Sequence, residues 1–392
     1  MNIAFVTTQS VHQSTVIGRV LPLAKEFQNM GHSVTVFLHH EKDAAYPQDI
    51  SIRFTGSNPF ERTDNGKRRK SGMRLLWTMK INALRAAWGL VRVRPDVIIL
   101  VKPLPENTLA ALIAKIFLWN TKVILDVDDF ELFANNLSSL FQRAAIHASE
   151  RIATTLASSI VVATPFLYDH IHQMTTGKKK VVLIPTGLTA DFAASSTLGV
   201  LPLTPSVFPA DHTILYIGSI SQSSGHRVDL LPEILHQVRK KIPDARLTIA
   251  GSGDDTVELK KQFQGLSLEN AVTFFGRFTE ADIPALLAKA IILIDPIDAS
   301  IVARAKSSFR CALALSAGMP IVTSSIGIRT ELLPEELHEK FFAIPHDASS
   351  YANRIIALIN TPLSHKEKTA LIEKSKQYTW DYLAKSYYIC LV

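Results

Sequence analysis

The sequence predicts an α/β fold of two domains, each built on a parallel sheet. Three observations carry this. Short apolar runs that read as buried strands alternate with helical patterns in both halves of the chain. Residues 193–210, small, polar and proline-containing, read as a linker between those halves. The length of 392 residues is enough for two separate cores. The expected boundaries are a first domain over 1–192, the linker 193–210, a second domain over 211–365 and a tail over 366–392.

In the first half, strands are expected at 3–7 and 33–38, separated by a polar loop (8–17) and a helix (18–30) that ends at Gly31-His32. A weak strand follows at 52–55, then a basic segment and a helix over 72–92 stopped by Pro95-Asp96. The buried strand 97–101 ends in Lys102-Pro103-Leu104-Pro105. A helix over 107–118 leads to a strand at 122–125, with Asp126, Asp128, Asp129 and Glu131 at its carboxyl end. A helix over 137–156 and strands at 159–163 and 181–184 complete the half, which closes on Pro185-Thr186-Gly187-Leu188-Thr189 and Phe192. The acidic cluster can be read as a metal–diphosphate site or as polar contacts and helix capping. Its place in the first half favours the second reading. No Gly-x-Gly-x-x-Gly follows the first strand, which argues against a nicotinamide or flavin enzyme.

In the second half, the strand 213–217 runs into a Gly/Ser loop (218–225), then His226-Arg227 and a helix over 228–241. Small residues there let backbone amides approach a phosphate, and an arginine at the helix entrance neutralises it. Strand 246–250 leads into Gly251-Ser252-Gly253-Asp254, and 272–275 into Gly276-Arg277-Phe278 and a helix over 280–290. Strand 291–294 ends at Asp295-Pro296. A helix over 306–317 is closed by Gly318 and Pro320, and Ile321 starts the next strand. Arg304, Lys306, Ser307, Ser308 and Arg310 therefore gather where a strand's carboxyl end feeds a helix N-terminus, a setting suited to a phosphate or diphosphate. A last strand (341–344), a helix (349–358) and an aromatic tail with Tyr378, Trp380, Tyr382, Tyr387 and Tyr388 follow.

Composition narrows the class. Apolar content of 47% with 20% charged residues describes an ordered globular chain. Cys311 and Cys390 are too few and too far apart for a disulfide framework or a zinc site, which fits a reducing compartment. The chain opens without the basic start of a signal peptide, and Lys115 interrupts the longest apolar candidate, 109–119, so a cytoplasmic protein is expected. The net charge is +7, and nine Lys or Arg without an acid lie between Lys67 and Arg94, so the basic character belongs to that one segment.

Taken in order, these motifs resemble glycosyltransferase family 4, the retaining GT-B sugar transferases of group 1. The likeness rests on the strand–loop–helix–Gly-His opening, the Pro185-Thr186-Gly187 stretch, the Gly218, Gly251 and Gly276 turns, the strand–basic turn–helix–Ala317-Gly318-x-Pro320 segment and the aromatic tail. It implies two Rossmann-like domains with parallel sheets facing a central cleft, and a C-terminal helix crossing back to the first domain. It implies transfer of a sugar, hexosyltransferase-type, from a nucleoside-diphosphate sugar to a polysaccharide or lipid-linked acceptor with retention, as in cell-envelope polysaccharide biosynthesis. Arg227, Lys306, Arg310, Ser307 and Ser308 would hold the donor diphosphate. Gly218, Ser219, Gly251, Gly253, Gly276 and Glu331 would hold the nucleotide. Gln13, Ser14, Lys102, Asp126, Asp128 and Asp129 would lie on the acceptor side. The donor is a co-substrate, and neither metal nor further cofactor is expected.

The sequence departs from the family at several positions. The paired glutamates, eight residues apart, fall at Ala305 and Leu313; Ser219 stands for an arginine, Gln13-Ser14 for a Gly-Gly pair, Thr186 for an asparagine, and Lys102 for the first-domain histidine. Two alternatives stay open: a GT-B nucleotide-sugar epimerase, and a non-catalytic GT-B-like subunit. The segment from Lys67 to Arg92 adds an anionic membrane surface to the expected partners, at the inner face of the cell membrane. In a helix, Arg74, Arg85 and Arg92 share one strip and Trp77, Ile81, Leu84, Trp88 and Val91 the next. It lacks a nucleic-acid reading module, and no nucleic acid is expected.

Overall fold

The computed structural model describes residues 1–41, 44–57, 60–63, 66–69, 72–134, 137, 139–189 and 212–391, with 60–63 and 66–69 described as backbone only. The expected linker 193–210, Phe192 and Lys70 lie outside these residues. The chain divides into two compact units, one of Met1–Thr186 with the residues from Trp380 onward, the other of Gly187–Thr379.

The first unit is a seven-stranded parallel sheet in the order β3-β2-β1-β6-β7-β8-β9, formed by β1 (Asn2–Val6), β2 (Ser33–His40), β3 (Ser51–Ser57), β6 (Val97–Val101), β7 (Lys122–Val127), β8 (Ser159–Val162) and β9 (Lys180–Leu183). The antiparallel pair β4 (Phe60–Thr63) and β5 (Gly66–Arg69) follows β3 and was not expected. Strand order reverses between β1 and β6, so the loops after these strands flank the switch point where open α/β sheets bind ligands. The helices are α1 (Leu21–Asn29), α2 (Gly72–Val93), α3 (Pro105–Phe117), α4 (Glu131–Ala134), α5 (Leu140–Leu156) and α6 (Pro165–Met174). Ser139 caps α5 by accepting from Gln142 N, and Thr164 caps α6 from Leu167 N. The closing helix Trp380–Leu391 packs on α1, and Trp380, Leu383 and Tyr387 join the core of Ile3, Phe5 and Phe27.

The second unit is a five-stranded parallel sheet in the order β12-β11-β10-β13-β14, with β10 (Thr213–Ile217), β11 (Arg246–Ala250), β12 (Val272–Gly276), β13 (Ile292–Ile294) and β14 (Ile321–Val322). Its switch point lies between β10 and β13. Both units are therefore Rossmann-like.

Three expectations need correction. The helix over 306–317 begins only at Phe309 (Phe309–Ala317), because Ser308 leaves the helical conformation to cap it, its Oγ accepting from Cys311 N, and a separate short helix, Ile301–Ala305, precedes it. Of the strand expected over 341–344, Phe341 ends a helix, His338–Phe341, and only Phe342 pairs with the sheet, through a single bridge to Thr323. A short apolar run does not distinguish a buried helix end from a strand. The tail is split at Thr379 into His365–Ser375, a turn at Lys376–Tyr378, and Trp380–Leu391.

Candidate functional site

In the second unit the residues at the switch point converge on Asp295, which follows β13 and is fully buried. Arg310 Nε donates to its Oδ1 at 2.7 Å and Arg329 Nε to its Oδ2 at 2.8 Å, with Ser308 Oγ at 3.2 Å and Thr323 Oγ1 at 3.3 Å. Burial opposes the Asp295 charge, but Arg310 and Arg329 outweigh it and hold the carboxyl well below the usual carboxylate range. Arg310 also donates from Nη1 to Ile217 O at 2.9 Å and lies over the Tyr216 ring at 4.7 Å. His226 Nδ1 accepts from Arg310 Nη2 at 2.7 Å. Burial first, and then Arg310, push His226 well below its ordinary value, so the ring is neutral at pH 7 and its Nδ1 lone pair is available for that bond. One carboxylate thus carries two guanidinium groups, and the surplus positive charge lies directly under the loop after β10.

That loop is shaped by backbone approach. Gly218 has φ +139°, and a Cβ there would fall 2.4 Å from Arg310 Nη1. Gly251 has φ +147°, and its Cβ would fall 1.8 Å from Gly218 O. The two glycine turns therefore lock onto each other, and Gly251 N donates to Gly276 O at 2.7 Å. Ser219 is exposed beside them, and Lys306 and Ser307 are half-buried in the break between the two helices. Lys306 is close enough to depress His226 further. The structure thus brings together Gly218, Ser219, Lys306, Ser307, Ser308 and Arg310. Arg227 is held by Asp229, the shortest contact being 2.6 Å, and its Nη1 meets His346. Glu331 is exposed and lines an open groove with Glu335, Glu336, His338 and Glu373. Ala305 and Leu313 are buried apolar side chains.

The first unit has a second buried cluster at the carboxyl end of β7. Lys102, with φ +66°, places its Nζ 3.2 Å from Asp128 Oδ1, 2.8 Å from Asp129 Oδ2 and 2.7 Å from Glu131 Oε1. The three carboxylates are spaced to share a cation, and the Lys102 ammonium occupies that place. Burial works against the Lys102 charge, yet the carboxylates raise it well above the usual lysine range. Burial pushes Glu131 up, whereas Lys102 and Thr15, against burial, bring Asp128 down. Asp126 is engaged elsewhere, by Arg19 Nε at 2.9 Å and the Tyr387 hydroxyl at 3.0 Å. Gln13 is half-buried and Ser14 exposed in the loop after β1.

Sequence reasoning missed Asp295 as the hub, together with Arg329, Arg19, and a set of buried polar atoms without a partner at the ends of β1 and β2. These are Thr7 Oγ1, Gln9 Oε1, Ser10 Oγ and His39 Nδ1. His39 is fixed through Nε2 by Glu106 at 2.6 Å. Their only signal in the sequence was a run of polar residues directly after each apolar strand.

Comparisons with known proteins fit this arrangement. The model described as "Glycosyl transferases group 1" matches residues 211–361, and that described as "Glycosyl transferase 4-like domain" matches 16–187. The phosphatidylinositol N-acetylglucosaminyltransferase gpi3 subunit of Schizosaccharomyces pombe is 25% identical over 207 residues, 52% of this chain and 41% of that one. The match thus spans about two fifths of that relative's length. Sucrose-phosphate synthase from Thermosynechococcus elongatus aligns with a TM-score of 0.72 and 15% identity, over 99% of this chain and 97% of that one. Anabaena HepE, solved in complex with UDP, aligns with a TM-score of 0.72 and 16% identity, over 99% of both chains. The fold is GT-B, and the chain belongs to the group 1, family 4-like glycosyl transferases.

Proposed function

We propose that the protein transfers a hexose from a nucleoside-diphosphate sugar to a polysaccharide or lipid-linked acceptor with retention, in cell-envelope polysaccharide biosynthesis at the inner face of the cell membrane. The observation that carries this is the Asp295–Arg310–Arg329 cluster under the Gly218 turn. It supplies a preorganised positive floor at a switch point, suited to a diphosphate leaving group. Three of the five Arg310 N–H groups are already engaged, so Arg310 acts chiefly as buried charge, and Lys306 with the Ser307 and Ser308 region makes the direct contacts. Gly218, Ser219, Gly251, Gly253 and Gly276 form the nucleotide's bed. Arg227 and Glu331 are peripheral members of this site. In the first unit, Gln13, Ser14, Lys102, Asp128 and Asp129, with Gln9, Ser10 and His39, meet acceptor hydroxyls, while Asp126 braces Arg19. Anabaena HepE is solved with UDP and glucose, which supports a nucleotide-sugar donor.

A second reading, a non-catalytic GT-B-like subunit, draws on the apolar Ala305 and Leu313 and on the relative named as a subunit. Incubation with UDP-, GDP- and ADP-hexoses and a polyprenyl-linked sugar acceptor decides between them. Transfer with the donor's anomeric configuration kept in the product is the expected result. Nucleotide-sugar binding without transfer or hydrolysis assigns the subunit reading, and isomerised donor assigns an epimerase.

A further inference from the structure

Helices α2 and α3 each carry an apolar stripe on the side away from the sheet. The buried side of α2 is Leu75, Asn82, Ala83, Ala86, Ala87 and Leu90. At about 100° per residue, Met73, Ile81, Leu84, Trp88 and Val91 fall within about 40° of Trp77, on the opposite side. Met73, Trp77, Leu84 and Trp88 are exposed. Arg74, Arg85 and Arg92 border the stripe on one flank and Lys80 on the other. Lys80 lies over the Trp77 ring at 5.5 Å and Arg92 over Trp88 at 5.3 Å. α3 packs against α2, and its outward positions are Leu109, Leu112 and Ile116, continued by Phe117 and Trp119. Ile116 is 72%, Phe117 63% and Trp119 76% exposed. α5 packs on α3 and adds exposed Leu140 and Phe141. Of the chain's four tryptophans, Trp77, Trp88 and Trp119 are exposed on this face and Trp380 is buried.

The charge on these helices has one sign. α2 has no acid, and the carboxylates of α3 and α5, Glu106 and Glu150, are buried against His39 and His170. Arg74, Lys80, Arg85, Arg92, Arg143 and Arg151 are all exposed. Apolar stripes of this size are uncommon on a free surface. Tryptophan beside cations, with no exposed carboxylate on α2, α3 or α5, matches an anionic headgroup layer, where indole rings sit at the interface and each basic side chain adds electrostatic attraction.

We propose that α2 and α3 together form a two-helix docking face for an anionic phospholipid surface, with α3 entering through Ile116, Phe117 and Trp119. This deepens the membrane part of the proposed function by assigning half of the contact to a helix outside the basic segment. The test reads lipid binding, not transfer, so the two readings can fail separately.

Vesicles of phosphatidylcholine with and without phosphatidylglycerol are co-sedimented with the full chain. Binding is expected only with phosphatidylglycerol, weakening as salt rises, with the tryptophan emission shifted to the blue and protected from acrylamide. Arg85→Ser with Arg92→Ser should weaken binding about fivefold per cation removed. Ile116→Ser, Phe117→Ser and Trp119→Ser together, with α2 intact, should weaken it about tenfold or more, with an unchanged thermal melt as the control for folding. Retained binding in that triple variant overturns the role of α3. Equal binding to both vesicles, or to neither, overturns the proposal without any variant. A concentration-dependent dimer in lipid-free buffer would assign the face to a second copy and overturn it as well.

Discussion

The two units place opposite charge arrangements at equivalent points of the same architecture. In the second, one carboxylate, Asp295, serves two guanidinium groups. In the first, one ammonium, Lys102, serves three carboxylates. Each cluster lies next to its sheet's switch point with a buried charge at its centre, Asp295 in one and Lys102 in the other, and each needs internal pairing because an isolated buried charge is costly. The surplus differs in sign, positive beneath the β10 loop and negative after β7. Under the proposed function, the positive surplus suits an anionic diphosphate and the negative one suits acceptor hydroxyl groups. On that proposal, one fold would support two ligand chemistries through the ratio of acids to bases in each cluster.

The comparison breaks most visibly at Asp295. Asp295→Asn leaves Arg310 and Arg329 without their counter-charge and should cost about 3–5 kcal/mol in urea unfolding at pH 7. The sign with pH follows from the depressed carboxyl. Its folded value lies below the ordinary value of about 3.9, so its contribution is complete above that pH and is lost as pH falls through the folded value. The gap between wild type and Asp295→Asn should therefore stay constant from neutral pH down to about 4 and narrow only below it. A gap that closes already between neutrality and pH 5 would mean that Asp295 is not held by the two arginines.

The first unit should be more forgiving. Lys102 keeps Asp128 and Asp129 when Glu131 is neutralised, so Glu131→Gln should cost about 1 kcal/mol or less. Burial raises Glu131, so the wild-type side chain favours the fold when protonated and loses that advantage as pH rises. The variant should accordingly compare better with wild type at pH 7 than at pH 4, as read by urea titrations at the two values. A loss as large as that of Asp295→Asn would remove the distinction between one-sided and shared pairing.

Much of the fold was legible because buried parallel strands are continuous apolar runs. The strands expected at 97–101, 213–217 and 246–250 have those bounds in the structure. The basic turn was legible because Lys306, Ser307, Ser308 and Arg310 are adjacent in sequence. Asp295 was not, because its partners lie 15 and 34 residues away and a lone Asp before Pro296 reads as a strand stop. Asp126 is legible as part of the acidic cluster, but its pairing with Arg19, 107 residues away, is hidden for the same reason. Gly251 reads from the sequence as a glycine for ligand approach, and the structure adds that a Cβ there would meet Gly218 O, a contact no local pattern announces. The outward stripe of α3 is not legible from the helix expected over 107–118 or from the interrupted apolar run 109–119, since exposure depends on which side the sheet covers.

The central claim is that the second unit grips a diphosphate. Isothermal titration of UDP, GDP and ADP and of their nucleosides, with wild type and Lys306→Ala, tests it most directly. Lys306 is half-buried beside His226, while Asp295 accepts from Arg310, Arg329, Ser308 and Thr323, and an unchanged thermal melt of the variant serves as the control for folding. The account predicts that the nucleoside diphosphate bound by wild type loses about 1.5–3 kcal/mol in the variant while its nucleoside is unaffected. Equal losses for diphosphate and nucleoside, or diphosphate binding unchanged by the substitution, would contradict it.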